Sequence, residues 1–266
     1  MNDPRLHETL RNALLDRVGG FFRNTVRHSG ETCSVCTGPV ASTDSARCGV
    51  CSSHHAEFGD RLADQVLPLT YVCGNHPQGI HQSAHTVVSY KRTPVAEKSV
   101  KDLCLMILAA TTIHASCIAV PPGRTWQAVT FVPSASKPGR GHPVAQLARQ
   151  VAFHNDADNR LTLDLGPGIE ADQRTVRGDR FAVPARYRER VEGKHVLLVD
   201  DTWTTGAKAQ SAAVSLKEVG AAHVTALCAA RWCRYEWESH RLLLDRCTEP
   251  YDAYFCPVTG GTCPTN

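Results

Sequence analysis

The amino-terminal thirty residues carry apolar side chains at helical spacing. Apolar residues recur every three or four positions, a period that is typical of an amphipathic helix. The residues concerned are Leu6, Leu10, Leu14, Val18 and Phe21. We therefore predict an amphipathic helix within residues 1–30. The same stretch lacks the apolar segment of a signal peptide, so we expect a protein that is not exported.

A second pattern begins at residue 126, where short apolar runs alternate with segments of helical period. Strand-like runs cover residues 126–132, 195–199 and 223–231, while helical stripes cover 142–152 and 209–219. Successive strand, helix and strand form a βαβ unit with a right-handed crossover. The run 195–199 is apolar throughout, as expected for a strand buried on both faces of a parallel sheet. Residues 126–232 are thus predicted to form an α/β core with a doubly wound, mainly parallel sheet.

The most apolar stretch, residues 103–120, has a membrane span as an alternative interpretation. It contains polar side chains, among them Thr111 and His114, and it ends at two prolines. We therefore favour a buried helix followed by a connecting segment, and we expect no membrane partner. Residues 61–125 are assigned to a helical and connecting region that covers the core like a hood.

Composition narrows the functional classes. The 266 residues include 29 basic and 26 acidic side chains, and the formal net charge of +3 is too balanced for nucleic-acid binding by bulk electrostatics. Any contact with phosphate must therefore be local. We expect a cytoplasmic protein, in which the twelve cysteines are reduced and need an explanation other than disulfides.

Two cysteine pairs in residues 31–60 have the spacing of a zinc site. Cys33 and Cys36 form one pair, Cys48 and Cys51 form the other, and eleven residues separate the pairs. Thiolates at this spacing close a tetrahedral zinc shell, and four protein ligands leave no position open for a substrate. We predict a zinc-ribbon-like region with a structural Zn²⁺. Replacement of one cysteine ligand by His54 or His55, and four cysteines without metal, are the alternatives.

The residues after 232 form a carboxyl-terminal extension with four more cysteines. A second zinc site is conceivable here, with ligands drawn from Cys233, His240, Cys247, Cys256 and Cys263. The spacings are irregular, so we favour ordinary thiols.

Two adjacent carboxylates, Asp200 and Asp201, follow the apolar run 195–199. Ligands of open α/β sheets bind beyond the carboxyl ends of strands, where we expect both acids. The loop 202–207 adds backbone N–H groups, threonine hydroxyls and the start of a helix, which together favour a phosphate. Carboxylates would repel that phosphate, so the ligand should present hydroxyls to the acids, as a ribose 5-phosphate does. Helix capping, the alternative, explains one acid but not two.

The segment VLLVDDTWTTGAKAQ, residues 196–210, resembles the phosphoribosyl-pyrophosphate-binding motif of type I phosphoribosyltransferases. The aliphatic strand, the paired acids and the Thr-Thr-Gly turn carry the likeness. Thr202 and Trp203 stand where the family prefers aliphatic residues, and Lys208 stands where it has a hydroxyl residue.

The order of segments across residues 31–232 is similar to that of ComF-like proteins. After the cysteine pairs come SYKRTPVAEKSVKDLCLMILA at 89–109, FVPSASKPGRGHPVAQLARQVA at 131–152 and RTVRGDRFAVP at 174–184. Tyr90, Lys91 and Arg92 match a basic element of that family. Arg140 and Gly141 begin a shorter and less basic version of its Arg-Gly-Phe-Asn segment.

These resemblances imply a type I phosphoribosyltransferase-like fold and an enzyme that transfers a phosphoribosyl group from phosphoribosyl pyrophosphate to a nitrogenous acceptor, with release of pyrophosphate. They assign Asp200 and Asp201 to the ribose hydroxyls, with Mg²⁺ nearby on hydroxyl and pyrophosphate oxygens. The residues implied to bind the 5-phosphate are Thr202, Thr204, Thr205, Gly206, Ala207 and Lys208. For Lys208, a solvent-facing side chain is the alternative.

Basic residues supply candidates for the pyrophosphate. Lys137 and Arg140 are the nearest in sequence, whereas Lys91 and Arg92 are weaker candidates for which we favour a solvated surface. Arg174 and Arg177 lie in a predicted mobile loop and either reach the pyrophosphate on closure or stay in solvent. His142 belongs either to the pocket or to the surface.

A non-catalytic member of the same fold is the second hypothesis. Such a ComF-like adaptor or ligand sensor would bind a phosphoribosyl ligand, a protein or DNA, and would serve DNA uptake or nucleic-acid metabolism. The retained acids and glycine favour ligand binding, whereas the less basic segment and Lys208 favour lost or altered catalysis.

Overall fold

The apolar runs and helical stripes of the sequence form a layered arrangement of helices and strands. The computed structural model describes residues 3–119, 125–134, 141–152, 159–170 and 172–263. Its helices are α1 Pro4–Val18, α2 Gly49–Phe58, α3 Gln82–Ser89, α4 Glu97–Ile113, α5 Ala115–Ile118, α6 Pro143–Arg149, α7 Arg188–Val191, α8 Ala207–Glu218 and α9 Glu238–Arg246. Its strands are β1 Arg23–Asn24, β2 Gln65–Gly74, β3 Ala128–Phe131, β4 Asp164–Leu165, β5 Phe181–Ala182, β6 His195–Trp203 and β7 His223–Arg234.

One mainly parallel sheet organises these elements. The strand order is β1-β2-β7-β6-β3, and β4 pairs with β5 in a separate two-stranded sheet. Strands β2, β7, β6 and β3 are parallel, while the two-residue β1 is antiparallel to β2 at one edge. The βαβ unit of β6, α8 and β7 is the one expected from the apolar runs. The chain is thus a mixed α/β protein.

Helices cover both faces of the sheet. On one face, Leu197 and Leu227 pack in a cluster that includes buried side chains of α1, α4 and α6. On the other face, Val196 and Leu198 pack with Ala212 of α8. Alternate residues of β6 therefore enter two different cores, because successive side chains of a strand point to opposite faces. This burial on both faces explains why the run 195–199 is apolar at every position.

The sheet extends beyond the core that the sequence analysis assigned to residues 126–232. Strand β2 lies inside the region 61–125, which was interpreted as helical and connecting, and it pairs with β7 along most of its length. The sequence did not predict this strand because Pro68 lies within it, and proline argues against an inner strand. The proline is tolerated because β1, on the other side of β2, reaches only Thr70 and Tyr71.

The amino-terminal helix packs into the same core as the sheet. Asp3 caps α1, and Leu10, Leu14 and Val18 are buried as predicted. Leu6 is 45% exposed, and Phe21 lies beyond the end of the helix, where Phe22 is fully buried instead. Tyr251 and Ala253 of the carboxyl-terminal extension belong to this cluster as well. The two ends of the chain therefore contribute to one hydrophobic core.

Residues 103–113 of the apolar stretch lie in helix α4, which is the buried helix that was favoured over a membrane span. Helix α4 ends at Ile113, and the four-residue helix α5 follows. Within the ranges described above, no helix combines the length and the apolar character that crossing a membrane requires.

Two adjacent leucines of α1 test whether this helix is integral to the core. Leu14 is completely buried, whereas Leu15 is 41% exposed. Replacing Leu14 by alanine should lower the free energy of unfolding by about 2–5 kcal/mol, because it removes apolar contacts and leaves a cavity. Leu15→Ala should change it by roughly 0.5 kcal/mol or less. Urea denaturation measures both, and equal effects would contradict the packing described here.

Candidate functional site

A cleft of about 1090 Å³ opens where the four parallel strands end. Its walls include Pro133 after β3, Asn75 after β2, Trp232 near the end of β7, and the end of β6 with the loop that follows. The carboxyl ends of parallel strands share one edge of a sheet, so side chains that are distant in sequence meet there. This edge is where the sequence analysis expected a ligand.

Both acidic residues line the cleft, but they lie within β6 and not after it. The strand continues to Trp203, and Asp200 pairs in register with Cys228 of β7. Asp201 is 7% exposed, and its N–H donates to Oδ1 of Asp200 at 2.8 Å. The strand is longer than its apolar run because β7 pairs with it as far as Trp203. The two carboxylates are therefore held by the sheet, on a more rigid element than the predicted strand end.

Two neighbouring residues from the end of α3 contact Asp201. The hydroxyl of Tyr90 donates to Oδ2, and Nζ of Lys91 lies 3.0 Å from the same oxygen. Tyr90 is buried, so its hydroxyl meets the carboxylate away from solvent. Lys91 and Arg92 are both exposed, as expected, but the ammonium group of Lys91 also forms an ion pair with Asp201. The resemblance of Tyr90 and Lys91 to the basic element of ComF-like proteins was the sequence feature that pointed to this contact.

The two carboxyl groups differ in their electrostatic surroundings. Burial and the neighbouring charge of Asp201 raise the pKa of Asp200. Burial also acts to raise the pKa of Asp201, but Lys91 and the Tyr90 hydroxyl outweigh it and lower that pKa below its ordinary value. The two adjacent acids therefore differ in protonation, because Asp200 favours the protonated form and Asp201 favours the ionised form.

The loop after β6 leads directly into the first turn of α8. Gly206 has a φ of +80° and precedes this 12-residue helix, and the N–H of Ala207 donates to Oγ1 of Thr205 at 3.3 Å. Thr204 and Lys208 line the cleft with them. The first N–H groups of a helix lack intrahelical acceptors and carry the positive end of its dipole. The arrangement suits an anion beside Asp200.

Trp203 lies beneath this loop and is 1% exposed. A Cβ on Gly206 would lie 2.0 Å from the ring of Trp203, so this ring leaves no space for a side chain at position 206. The aromatic ring at a position where the related motif is aliphatic thus fills the interior under the loop.

Arg231, which the sequence analysis did not single out, joins the loop to the cysteine pairs. Its guanidinium is buried, and Nη1 donates to the carbonyl of Thr204 at 2.9 Å. A Cβ on Gly38 would lie 2.5 Å from Nη2. Burial opposes the charge of this guanidinium, but the thiols of Cys36, Cys233 and Cys48 raise its pKa. The sequence feature that could have identified Arg231 is its position, as a charged residue at the end of the apolar run 223–231.

The four cysteines of residues 31–60 come together beside the cleft. Their sulfur atoms all lie within 4.8 Å of one another, so Cys33, Cys36, Cys48 and Cys51 could hold one metal ion. The N–H of Cys33 donates to the carbonyl of Gly38 at 2.7 Å, and the N–H of Thr37 donates back to Cys33 at 2.9 Å. His54 and His55 are not part of this group. Such a set of soft ligands fits zinc.

The remaining basic candidates have different positions. Arg174 and His142 line the cleft, and His142 also caps α6 by accepting from the N–H of Val144 at 3.2 Å. Arg177 forms an ion pair with Asp179 at 2.7 Å. Lys137 and Arg140, the predicted pyrophosphate ligands, lie outside the described residues.

Comparisons with known proteins place this chain near phosphoribosyltransferases only at low similarity. No protein-family model and no curated protein matches it. Among solved structures, a phosphoribosyltransferase from Corynebacterium diphtheriae is 18% identical with a TM-score of 0.29, over 52% of this chain and 79% of that one. An orotate phosphoribosyltransferase from Mycobacterium tuberculosis, in complex with inorganic phosphate, is 16% identical with a TM-score of 0.28, over 52% of this chain and 76% of that one. At these TM-scores the likeness carries no argument, so the proposals below rest on the chain's own residues.

The opposite pKa shifts of the two acids predict opposite pH effects on stability. Because the pKa of Asp200 is raised, its contribution to stability is lost as pH rises from about 3.8 towards about 8. Asp200→Asn should therefore gain about 1 kcal/mol or more in free energy of unfolding, relative to the unmodified protein, across that range. Asp201→Asn should lose stability at neutral pH and approach the unmodified protein as pH falls, because its ionised form is the stabilising one.

Urea denaturation without added Mg²⁺, at several pH values from about 4 to 8, measures both variants. A change of the same sign in both would contradict the electrostatic separation of the two acids.

Gly206 provides a test of the loop conformation. Gly206→Ala should lower the free energy of unfolding by roughly 1–3 kcal/mol, because the positive φ and the Trp203 ring both oppose a side chain. Gly20→Ala is the matched control, since a Cβ there meets nothing within 4 Å. Thermal unfolding of both variants measures the difference, and a neutral Gly206→Ala would rule out this loop geometry.

Proposed function

We propose that this chain is a phosphoribosyltransferase-like protein, which binds phosphoribosyl pyrophosphate with Mg²⁺ and transfers the phosphoribosyl group to a nitrogenous acceptor. The observation that carries the proposal is one cleft in which two adjacent carboxylates precede a helix amino terminus by a few residues. A ligand that fits both features needs neutral hydroxyls at one end and a phosphate at the other. A ribose 5-phosphate meets that requirement.

The phosphate end of the ligand is assigned to the loop and the start of α8. Thr204, Thr205, Gly206 and Ala207 would surround the phosphate with backbone N–H groups and hydroxyls, because glycine lets the backbone approach closely. Lys208 lines the same cleft and would add a positive charge. Thr202, within the strand, would support the loop from below and has no assigned contact with the phosphate.

The ribose end is assigned to the acids. Oδ2 of Asp201 is held by Tyr90 and Lys91, which keeps this carboxylate ionised and fixed. Asp200 faces the same cleft and would accept a second hydroxyl. Loss of pyrophosphate creates positive charge on the sugar, and a preorganised carboxylate stabilises that charge without reorganisation. Mg²⁺, when bound, would neutralise charge on the pyrophosphate.

Carboxylate oxygens are suitable ligands for Mg²⁺, and Asp200, which lines the cleft, would support the ion. Arg174 lines the cleft and would contact the pyrophosphate together with Lys137 and Arg140. The acceptor would enter from the part of the cleft lined by Val88 and Trp232. The planar ring of Trp232 suits a planar nitrogenous acceptor.

The cysteine group is assigned a structural role. Four ligands on one Zn²⁺ leave no position for a substrate. Arg231, which lies beside this group, donates to the carbonyl of Thr204 and would help to hold the loop in place. The order of the segments favours a ComF-like member of the fold. Thiolate ligation requires reduced cysteines, which is consistent with a cytoplasmic location.

Titration calorimetry with phosphoribosyl pyrophosphate and Mg²⁺ tests the binding step. We expect heat of binding with the unmodified protein and at least about tenfold weaker binding, equivalent to about 1.4 kcal/mol, in Asp200→Asn and Asp201→Asn. Asp179→Asn removes an acid outside the cleft and should bind normally. No heat with the unmodified protein, or unchanged affinity in both cleft variants, would overturn the proposal.

Pyrophosphate release with a panel of bases and amines then distinguishes an enzyme from a non-catalytic binder. Lys208 favours the second possibility, because it lines the cleft in the first turn of α8, where the phosphoribosyltransferase motif has a hydroxyl residue. Binding without release for every acceptor would assign the chain to the ligand-sensing class.

A DNA-retardation assay at several salt concentrations addresses the adaptor role, because phosphate-driven binding weakens as salt rises.

A further inference from the structure

The cysteines of the carboxyl-terminal extension separate into two places. Cys233 packs in an apolar cluster with Tyr71 and Leu243, against which Cys247 also packs. His240 accepts from the N–H of Arg234 at 2.9 Å. The other two thiols, Cys256 and Cys263, lie together with two residues from the end of α4 and the start of α5. This second group is His114, Cys117, Cys256 and Cys263, and its ligand atoms all lie within 4.8 Å of one another.

The turn after Cys256 has the same backbone hydrogen bonds as the turn after Cys33. In each turn the cysteine carbonyl accepts from the N–H four residues later, Thr37 at 2.9 Å and Gly260 at 2.8 Å. In each, the cysteine N–H donates to the carbonyl five residues later, Gly38 at 2.7 Å and Gly261 at 2.8 Å. Thr37 and Gly260 both have positive φ, of 57° and 72°. The chain therefore forms the same backbone turn after Cys33 and after Cys256, one in each group of candidate metal ligands.

His114 has the hydrogen-bonding pattern of a metal ligand. It is 1% exposed, and its Nε2 lies 2.8 Å from the carbonyl of Ala253. Its Nδ1 is buried and has no hydrogen-bond partner within the described part of the chain. Metal-bound histidines donate from one ring nitrogen to a carbonyl or carboxylate and present the lone pair of the other to the metal. Without such a ligand, a buried unpaired nitrogen is unfavourable.

A positive charge lies beside both cysteine turns. Nε of Arg27 donates to the carbonyl of Pro257 at 3.0 Å, and Nη1 donates to the carbonyl of Ser34 at 2.8 Å. Burial lowers the pKa of this arginine, while Tyr71 and the thiols of Cys36, Cys33 and Cys256 act in the opposite direction. A zinc ion with three thiolates and one neutral imidazole carries a net negative charge, which Arg27 would offset.

We propose that His114, Cys117, Cys256 and Cys263 bind a second structural Zn²⁺. Nδ1 of His114 and the three thiolates complete a tetrahedral shell, and the thiols release their protons when the ion binds. The ion fastens residues 251–263 to the end of α4, where Tyr251 and Ala253 enter the core. The site is independent of the phosphoribosyl ligand, so the two proposals fail separately.

Elemental analysis and native mass spectrometry of the unmodified, reduced and metal-replete protein test the proposal directly. We expect two zinc equivalents per chain, and one equivalent would overturn it. The double variant Cys256→Ser/Cys263→Ser should retain one equivalent, bound by the cysteines of residues 31–60. Cys247→Ser is the matched control outside both groups and should retain two. Retention of two by the double variant would also refute the site.

Cobalt substitution identifies the ligand types from the spectrum of the unmodified protein, and one variant then assigns the nitrogen ligand. The unmodified protein with two Co²⁺ ions should give the absorption of one four-thiolate site and one site with three thiolates and a nitrogen. His114→Asn should change only the second component. A spectrum of four-thiolate sites alone would exclude His114 as a ligand. A Cys256–Cys263 disulfide in a non-reducing digest of freshly isolated protein would exclude the metal site altogether.

Discussion

The parallel pairing of β6 with β7 is the constraint on which the site depends. It holds Asp200 opposite Cys228 and Trp203 opposite Arg231, which fixes the acids and the buried guanidinium in one register. A shift of one residue would move every side chain of β6 to the other face and would separate Asp201 from Tyr90 and Lys91. The packing that stabilises the sheet therefore also positions the candidate chemistry.

Placing two carboxylates in a buried strand has an electrostatic cost, which the surrounding residues reduce unequally. Tyr90 and Lys91 compensate Asp201, while Asp200 has the N–H of Asp201 as its hydrogen-bond donor and a raised pKa. Contact of a ligand hydroxyl or a cation with Asp200 would offset the unfavourable free energy of burying this carboxylate. Asp200 is thus the less compensated of the two acids.

The two cysteine groups lie on opposite faces of the sheet, and each could hold a metal ion. The group from Cys33 to Cys51 packs on the face of the sheet that α8 covers, and Arg231 connects it with the loop carbonyls. The group with His114 lies at the end of α4, on the opposite face. With a metal ion bound, each group would connect parts of the chain that are distant in sequence.

The sequence by itself determined the strand-loop-helix element around Asp200 and the four-cysteine group, because apolar period and ligand spacing are local properties. It did not reveal β2, whose Pro68 conceals a strand that exists through pairing with β7. Nor could it bring Tyr90 to Asp201, Arg231 to Thr204 or His114 to Cys256, since these contacts join residues far apart in the chain. Local patterns fix which elements form, whereas only the packing of the sheet decides which distant side chains share a site.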